Sequence, residues 1–325
     1  MEILAVNNNL VDEVVDEQGS FTGSFIEANT IAISADEVKH RHIIPVFTKD
    51  NEVTISHNEF IETTRHVARE YFHDVRIGMP EIRVSHPIKG RIPEARNKPA
   101  KELAEHEKTL YYERMAFMIE LPEIFCEVNG NKLSLVVGGV KAYNEDNLYN
   151  KKGSAEHFKI FIGFQNKVCL NLCIWTDGLK ADVRVTNTAD LSMAIYNLIH
   201  QFQAERLIET LQEFSMLMIT EHQFAQLIGR SKLYQFLPVE EKKLITPFLF
   251  GDYHINTIAK DYYNNQSFCR EKNGNISLWN LYNLFTGANK SSYIDRFLER
   301  GLNATQFISA LTHSIKHQEE FWFIN

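Results

Sequence analysis

Residues 157–187 read HFKIFIGFQNKVCLNLCIWTDGLKADVRVTN and contain three runs of alternating side chains. The first run sets Phe158, Ile160, Ile162 and Phe164 on one face. The second sets Val168, Leu170, Leu172 and Ile174 on one face and Cys169, Asn171, Cys173 and Trp175 on the other. The third alternates Val183 and Val185 with Asp182, Arg184 and Thr186. Strand side chains alternate with period two, so each run predicts a strand with one face in a core. Gln165-Asn166-Lys167 and Thr176-Asp177-Gly178 supply the polar residues of the turns between them. The stretch therefore predicts the centre of an antiparallel sheet. Its Cys169–Trp175 face is too apolar for water, which predicts that C-terminal helices pack there.

Upstream, the pattern is mostly β. Asn129-Gly130 is a strong short hairpin signal, with extended runs on either side at 111–120, 124–128 and 132–141. Gly138-Gly139 inside the last run predicts a bulge or a close approach by another backbone or a ligand. Residues 43–47 and 53–55 predict a hairpin, and 82–84 a strand. Ser56 and Glu59 form a capping box that starts a helix, with Phe60, Thr64, Val67, Ala68 and Tyr71 as its buried stripe. Residues 87–93 read as a loop and 100–108 as a short helix. The first forty residues read as a weakly structured arm, with an edge strand as its main contribution.

Downstream, everything reads as helix. A long helix starts near Thr188–Asp190, with a stripe running from Leu191 to Phe202 and on to Phe214. Thr220 and Gln223 cap another, and further segments are marked at 239–246, 255–263 and 278–287. A helix from Tyr293 to Gly301 is expected to precede a separate one capped by Asn303 and Gln306. Residues 321–324, FWFI, predict a returning strand or an apolar plug. Strands first and helices second indicate an α+β fold: an antiparallel sheet in the N-terminal two-thirds, covered by helices, and an all-helical C-terminal part. The domains expected are an arm at 1–40, a sheet domain at 41–215 and a helical domain at 216–325.

The 325 residues carry a net charge of −8, so no global attraction to nucleic acid or anionic membrane operates. Four cysteines in so long a chain argue against a disulfide scaffold. No apolar run approaches the roughly 18 residues of a membrane span, and the first residues lack a secretory pattern. A cytoplasmic protein without a membrane is expected.

The motifs of chemistry are sparse. The chain lacks a Gly-x-Ser-x-Gly elbow, a lysine-bearing phosphate loop and a dinucleotide Gly-x-Gly-x-x-Gly turn. Cys169 and Cys173, four apart on a strand, would sit about 13 Å from one another and share neither a disulfide nor a metal. His313, His317 and Glu320 share a helix face without the glutamate that metalloprotease chemistry places after the first histidine. No metal and no cofactor is expected. Two polar–aromatic stretches remain: Gln165, Asn166 and Lys167 at a sheet turn, and Trp279, Asn280, Asn283, Asn289, Lys290 and Tyr293 around a helix. With a basic loop bearing Lys89, Arg91, Arg96, Lys98 and Lys101, they have the residue types that stack bases and contact phosphate in single-stranded nucleic acid. The alternative is that the aromatics pack helix on sheet and the asparagines cap turns.

ISH at 55–57, GRIPEA at 90–95, YYERM at 111–115, VGGV at 137–140 and IGFQNKVC at 162–169 resemble the domain-of-unknown-function family 3871 of Bacteroides-group gut anaerobes. So do LIGR at 227–230, AKDYY at 259–263 and LWNLYNLFTGANKSSY at 278–293. More distantly, residues 169–172 and 279–283 are similar to a phage- and plasmid-associated family. The resemblance implies a mobile-element context and an intracellular protein, and it implies no activity. The leading expectation is a non-enzymatic, cytoplasmic protein of a mobile element that binds single-stranded nucleic acid between its sheet and its C-terminal helices. The second is a protein–protein interaction module. The third is an enzyme of unrecognised type, which would need a pocket of convergent ionisable groups with perturbed pKa values.

Overall fold

The computed structural model describes residues 24–41, 44–45, 55–95, 98–142 and 155–325. Its main sheet is antiparallel throughout, in the order β1 (Ile31–Ile33), β3 (Glu81–Val84), β6 (Arg114–Val128), β7 (Asn131–Ala142), β8 (Glu156–Asn166) and β10 (Leu179–Val185). A short β9 (Leu172–Cys173) pairs with β8 beside them. The β6–β7 ribbon turns at Asn129 (φ 49°) and Gly130 (φ 73°), the two consecutive left-handed residues that a type I′ hairpin requires. A smaller sheet joins β2 (Ile44–Pro45), β4 (Pro87–Arg91) and β5 (Lys108–Tyr112), and β11 (Met218–Ile219) pairs with β12 (Ile276–Ser277).

Alternation along the strands feeds two cores. Phe117, Ile119, Val137, Phe158, Ile160, Ile162 and Phe164 are buried against α2 (His57–Tyr71), α3 (Thr188–Gln201) and α4 (Ala204–Met216). Ala116, Met118, Val136, Val140 and Phe161 face the other way. They meet Phe25, Ile26 and the first turns of α9 (Ile294–His317), through Ile294, Phe297 and Leu298. Covering both faces removes about 25 cal/mol from the free energy for each Å² of apolar surface buried. An ionic tie adds direction: the buried Lys159 ammonium donates to Glu299 Oε1 and to the Asp295 carbonyl, both at 2.6 Å, fixing α9 to β8. The first core runs on without interruption into α5 (Glu221–Tyr234), α7 (Asp252–Asn264), α8 (Leu278–Asn289) and the Phe321–Ile324 segment. The fold is α+β, with an antiparallel sheet first and helices last.

The Ser56–Glu59 capping box on α2 and the Thr220–Gln223 box on α5 are both present. Several expectations change. The second alternating run is not a full strand: Leu170 is left-handed (φ 58°) and only Leu172 and Cys173 join the ladder. Helical packing on its Cys169–Trp175 face is nevertheless present, because Asn171 bonds to α8. Residues 87–91 are a strand rather than a loop, and 100–107 form two separate 3-10 turns. The long helix from Thr188 breaks at Phe202–Gln203 into α3 and α4. The two expected last helices are one 24-residue α9 that passes straight through Gly301. Asn303 caps nothing; its amide donates to the Pro247 carbonyl and its oxygen accepts from Leu249 N. No bulge forms at Gly138-Gly139, whose register with β6 and β8 is continuous. The terminal aromatics form a plug, with Phe321, Phe323 and Ile324 buried. The rest of the expected 43–55 hairpin and the arm before Ser24 lie outside the described residues.

Candidate functional site

The sheet turn and α8 do meet, and the asparagines between them bond to one another. Asn166 Nδ2 donates to Asn283 Oδ1 at 3.1 Å, and Asn283 Nδ2 donates to the Trp279 carbonyl at 2.9 Å. Asn171 Nδ2 is shared between the Asn283 carbonyl and Thr286 Oγ1, each at 3.0 Å. Trp279 is fully buried, with its indole N–H given to Asn131 Oδ1 at 3.0 Å. Asn289 donates to the Phe297 carbonyl, and Asn280 to that of Cys269. Lys290 reaches the Cys169 carbonyl, Lys167 pairs with Glu120 at 2.9 Å, and Gln165 is buried beside it. Asn166, Asn283 and Asn289 each have both amide ends partnered, which makes them packing devices, since an unmatched buried group costs about 1–3 kcal/mol; Asn171 Oδ1 and Gln165 Nε2 are buried without a partner. Of these residues only Tyr293 stands in solvent, 64% exposed.

The basic loop is arranged differently. Strand pairing sets Lys89 opposite Leu110 and Arg91 opposite Lys108. Arg91 is buried and donates to the Lys98 carbonyl at 2.6 Å, while Lys98 pairs with Glu107 and Lys108 with Glu105. Lys89, Lys101 and Lys108 line a cavity of about 530 Å³ with Leu103, Thr109 and Leu110. Lys89 and Lys101 have no carboxylate partner among the described residues. Between residues 87 and 110 the chain carries six lysines and arginines against four glutamates, a local positive excess in an acidic protein. Arg96 lies outside the described residues. The cavity adds Lys108 and Leu110, which the sequence separates from the loop by the two 3-10 turns.

Groups that resemble catalytic machinery do not work as such. His254 Nε2 lies 3.2 Å from Ser292 Oγ, the contact a nucleophilic serine needs. The direction is wrong: Gly251 N–H donates to His254 Nδ1 at 3.3 Å, so the proton sits on Nε2 and is given to the serine. Ser292 in turn donates to Asn289 Oδ1 at 2.7 Å and accepts from Arg300. A base that is already a donor cannot take the hydroxyl proton. Ser292 is also fully buried. Burial, and then the Arg300 charge, depress His254 from 6.5 to about 4. All four cysteines are free, and three are held from the thiolate form: burial raises Cys169 to about 11 and Cys126 to about 12, and drives Cys173 higher still. Among the described residues no three His, Cys, Asp or Glu side chains gather to hold a metal, His313 and His317 included.

His254 sets a pH dependence. Its folded pKa lies below its unfolded value, so between pH 6.5 and about 4 the unfolded chain binds a proton that the folded one excludes. Stability therefore falls as the pH drops through that window, by on the order of 1–2 kcal/mol once partial exposure is allowed for. His254→Asn keeps an acceptor for Gly251 N–H and should flatten the slope of urea stability against pH. Identical slopes in the two proteins would disprove the assignment.

Among the described residues, exposed apolar side chains concentrate at the corner made by the end of α5, the four-residue α6 (Val239–Lys242) and the start of α7. Leu233 is 61% exposed, Phe236 81%, Val239 69% and Leu244 88%. The corner is held rigid from below. Tyr234 packs on Phe248 and Phe323 (ring centroids 6.0 and 5.7 Å), and the Lys242 ammonium lies 5.5 Å above its ring. Gln235 reaches Asp252 at 3.2 Å, and Lys242 reaches the Gln235 carbonyl at 2.9 Å. An isolated exposed leucine is ordinary, but a clustered and polar-rimmed set of large ones marks a contact surface. Leu233 lies on the face of α5 opposite the buried Phe224, Leu227, Ser231 and Tyr234, and Phe236 lies past the helix end, so a search for buried stripes passes over both.

No helix among the described residues is long and apolar enough to cross a membrane. No curated protein and no solved structure matches the chain. One family model does match, over residues 4–324, under the description "Domain of unknown function, B. Theta Gene description". That span takes in all three sheets, all the helices named above and the apolar corner, so the chain belongs to the domain-of-unknown-function family DUF3871.

Proposed function

We propose that the protein is a non-catalytic binding protein whose contact surface is the apolar corner at residues 233–253, and that its partner is another protein. One observation carries this reading: four large apolar side chains within twelve residues are more than half exposed on a rigid support. Their ordering cost is already met in the free protein, which favours association. The rim is polar, with Glu240 and Lys243 paired at 2.8 Å, as protein interfaces have it. Four free thiols suit a reducing compartment such as the cytoplasm. In the mobile-element setting that the resemblance implies, the partner is another protein of the element or of its host.

A photo-crosslinking residue at Val239, in cells that carry the gene naturally, should give an adduct of discrete mass. Phe236→Asp should abolish it without lowering the melting temperature, because an exposed side chain contributes within about 0.5 kcal/mol. An absent adduct, or one that survives Phe236→Asp, would refute the reading. An adduct of twice the chain's own mass in the purified protein would replace the heterologous partner with a second copy.

The cavity of Lys89, Lys101 and Lys108 supports a second reading, single-stranded nucleic acid held through its phosphates. Oligo-dT should bind at low salt, where phosphate contacts are strongest, and the double change Lys89→Glu, Lys101→Glu should lower the salt slope by about 1–2. No binding at low salt retires this reading and leaves the first untouched.

A further inference from the structure

Between α4 and α9 lies a cavity of about 450 Å³, away from both the apolar corner and the small basic sheet. Trp175 lines it at the point where the chain leaves β9, and its indole plane carries the Arg206 guanidinium 6.0 Å from the ring centroid. Among the described residues Arg206 has no ion-pair partner. Across the cavity Lys316 is neutralised by Glu213 at 2.7 Å, and the His313 and His317 rings lie 4.3 Å apart at the rim, with His313 3.6 Å from Glu319. Two buried polar atoms of the lining have no hydrogen-bond partner: Trp175 Nε1 and Ser309 Oγ. Other buried polar atoms without a partner, Asn171 Oδ1, Ser134 Oγ and Ser231 Oγ among them, belong to residues elsewhere in the fold; these two belong to residues that line one cavity.

The chemistry of these groups points one way. An indole N–H and a guanidinium can only donate, and a serine hydroxyl donates readily. What satisfies all three is a ligand rich in acceptor oxygens and negatively charged, because Arg206 is the uncompensated charge. The volume falls in the range of small-metabolite pockets. The apolar walls, Trp175 and Phe214, suit a planar or aliphatic body attached to that oxyanion. We propose that this cavity binds a small organic oxyanion, a phosphate monoester or a carboxylate, with Arg206, the Trp175 indole N–H and Ser309 as the groups that hold it. Glu213 does not oppose this, since its charge is already taken by Lys316.

Trp175 supplies the readout, and Trp279 and Trp322 serve as internal controls. The full-length protein labelled at its indole nitrogens would be titrated with phenyl phosphate and, separately, with benzoate, against sodium chloride at matched ionic strength. The Trp175 resonance, assigned by Trp175→Phe, should shift saturably with one or both organic anions, and the Trp279 and Trp322 resonances should not. Arg206→Ala should weaken binding about tenfold or more, as loss of a charged hydrogen-bond donor does, and Ser309→Ala by a smaller factor. Arg206 is exposed, so its truncation leaves the fold intact. A response to phenyl phosphate alone assigns the site to phosphate esters, and a response to benzoate alone to carboxylates. The proposal fails if neither probe shifts Trp175 at concentrations of about 10 mM, equivalent to less than 3 kcal/mol of affinity. It also fails if chloride gives the same shift, or if Arg206→Ala binds as tightly as the native protein.

Discussion

Replacing Gly138 with alanine is expected to lower folding stability by about 3 kcal/mol or more, at the upper end of what overpacking costs. The reason is space rather than backbone conformation, since Gly138 is not left-handed. A Cβ there would stand 2.1 Å from the Phe117 carbonyl oxygen and 2.9 Å from two carbons of the Phe161 ring. Phe161 could turn, but the Phe117 carbonyl belongs to β6, whose twelve-position ladder with β7 is the longest in the sheet. Moving it means moving the central ribbon. Gly139 is as tightly held, with Phe60 Cζ at 2.3 Å and the Lys159 carbonyl at 2.7 Å from its own virtual Cβ. Phe60 cannot retreat, because it is edge-on to both Phe117 and Phe158 at 4.9 and 4.8 Å. Gly229 is the control. Nothing lies within 4 Å of a Cβ at this exposed position of α5, so Gly229→Ala should gain about 0.5–1 kcal/mol of helix propensity. Urea midpoints measured by circular dichroism decide the matter; a Gly138→Ala protein within 0.5 kcal/mol of the native one would contradict the crowding.

The glycine pair also shows what was legible in the chain. Its meaning, a close approach inside a strand, follows from glycine's missing side chain, and so does the Asn129-Gly130 turn from its two left-handed residues. Both are local, and so are the capping boxes of α2 and α5 and the alternation of β8. Reading failed where a local signal was reused by a distant partner. Residues 168–175 alternate in the sequence, but Leu170 turns left-handed, Val168 is 45% exposed, and only Leu172 and Cys173 extend beside β8. Gly301 reads as a helix stop. It is there because Asn289 Nδ2 comes within 3.4 Å of its Cβ position, so α9 needs a small residue and not an end. Asn166 and Asn171 find their partners 117 and 112 residues further on. Nothing in their neighbourhood in the sequence separates a buried amide seam from a row of base contacts, and the expected nucleic-acid surface around α8 rests on that ambiguity.

Trp279 is where the two readings make opposite demands. A tryptophan that stacks a base stands in solvent; truncating it leaves stability unchanged within about 0.5 kcal/mol and removes about 1–3 kcal/mol of binding per base. A tryptophan at the root of a core does the reverse. Trp279 is fully buried beside Tyr282, with centroids 6.0 Å apart, and Tyr282 lies 5.4 Å from Phe214 of α4. Its indole N–H holds Asn131, the first residue of β7, so one side chain joins α8 to the β6–β7 hairpin. Trp279→Ala should therefore cost about 3–5 kcal/mol, through lost transfer free energy and the cavity left behind. Trp279→Phe keeps most of the ring and loses only the bond to Asn131, so it should cost about 1–2 kcal/mol. The gap between the two variants measures packing, and the phenylalanine variant alone measures the tie to the hairpin. If Trp279→Ala melted with the native protein, the side chain would have to be outside the core, and the stacking surface around α8 would regain its claim.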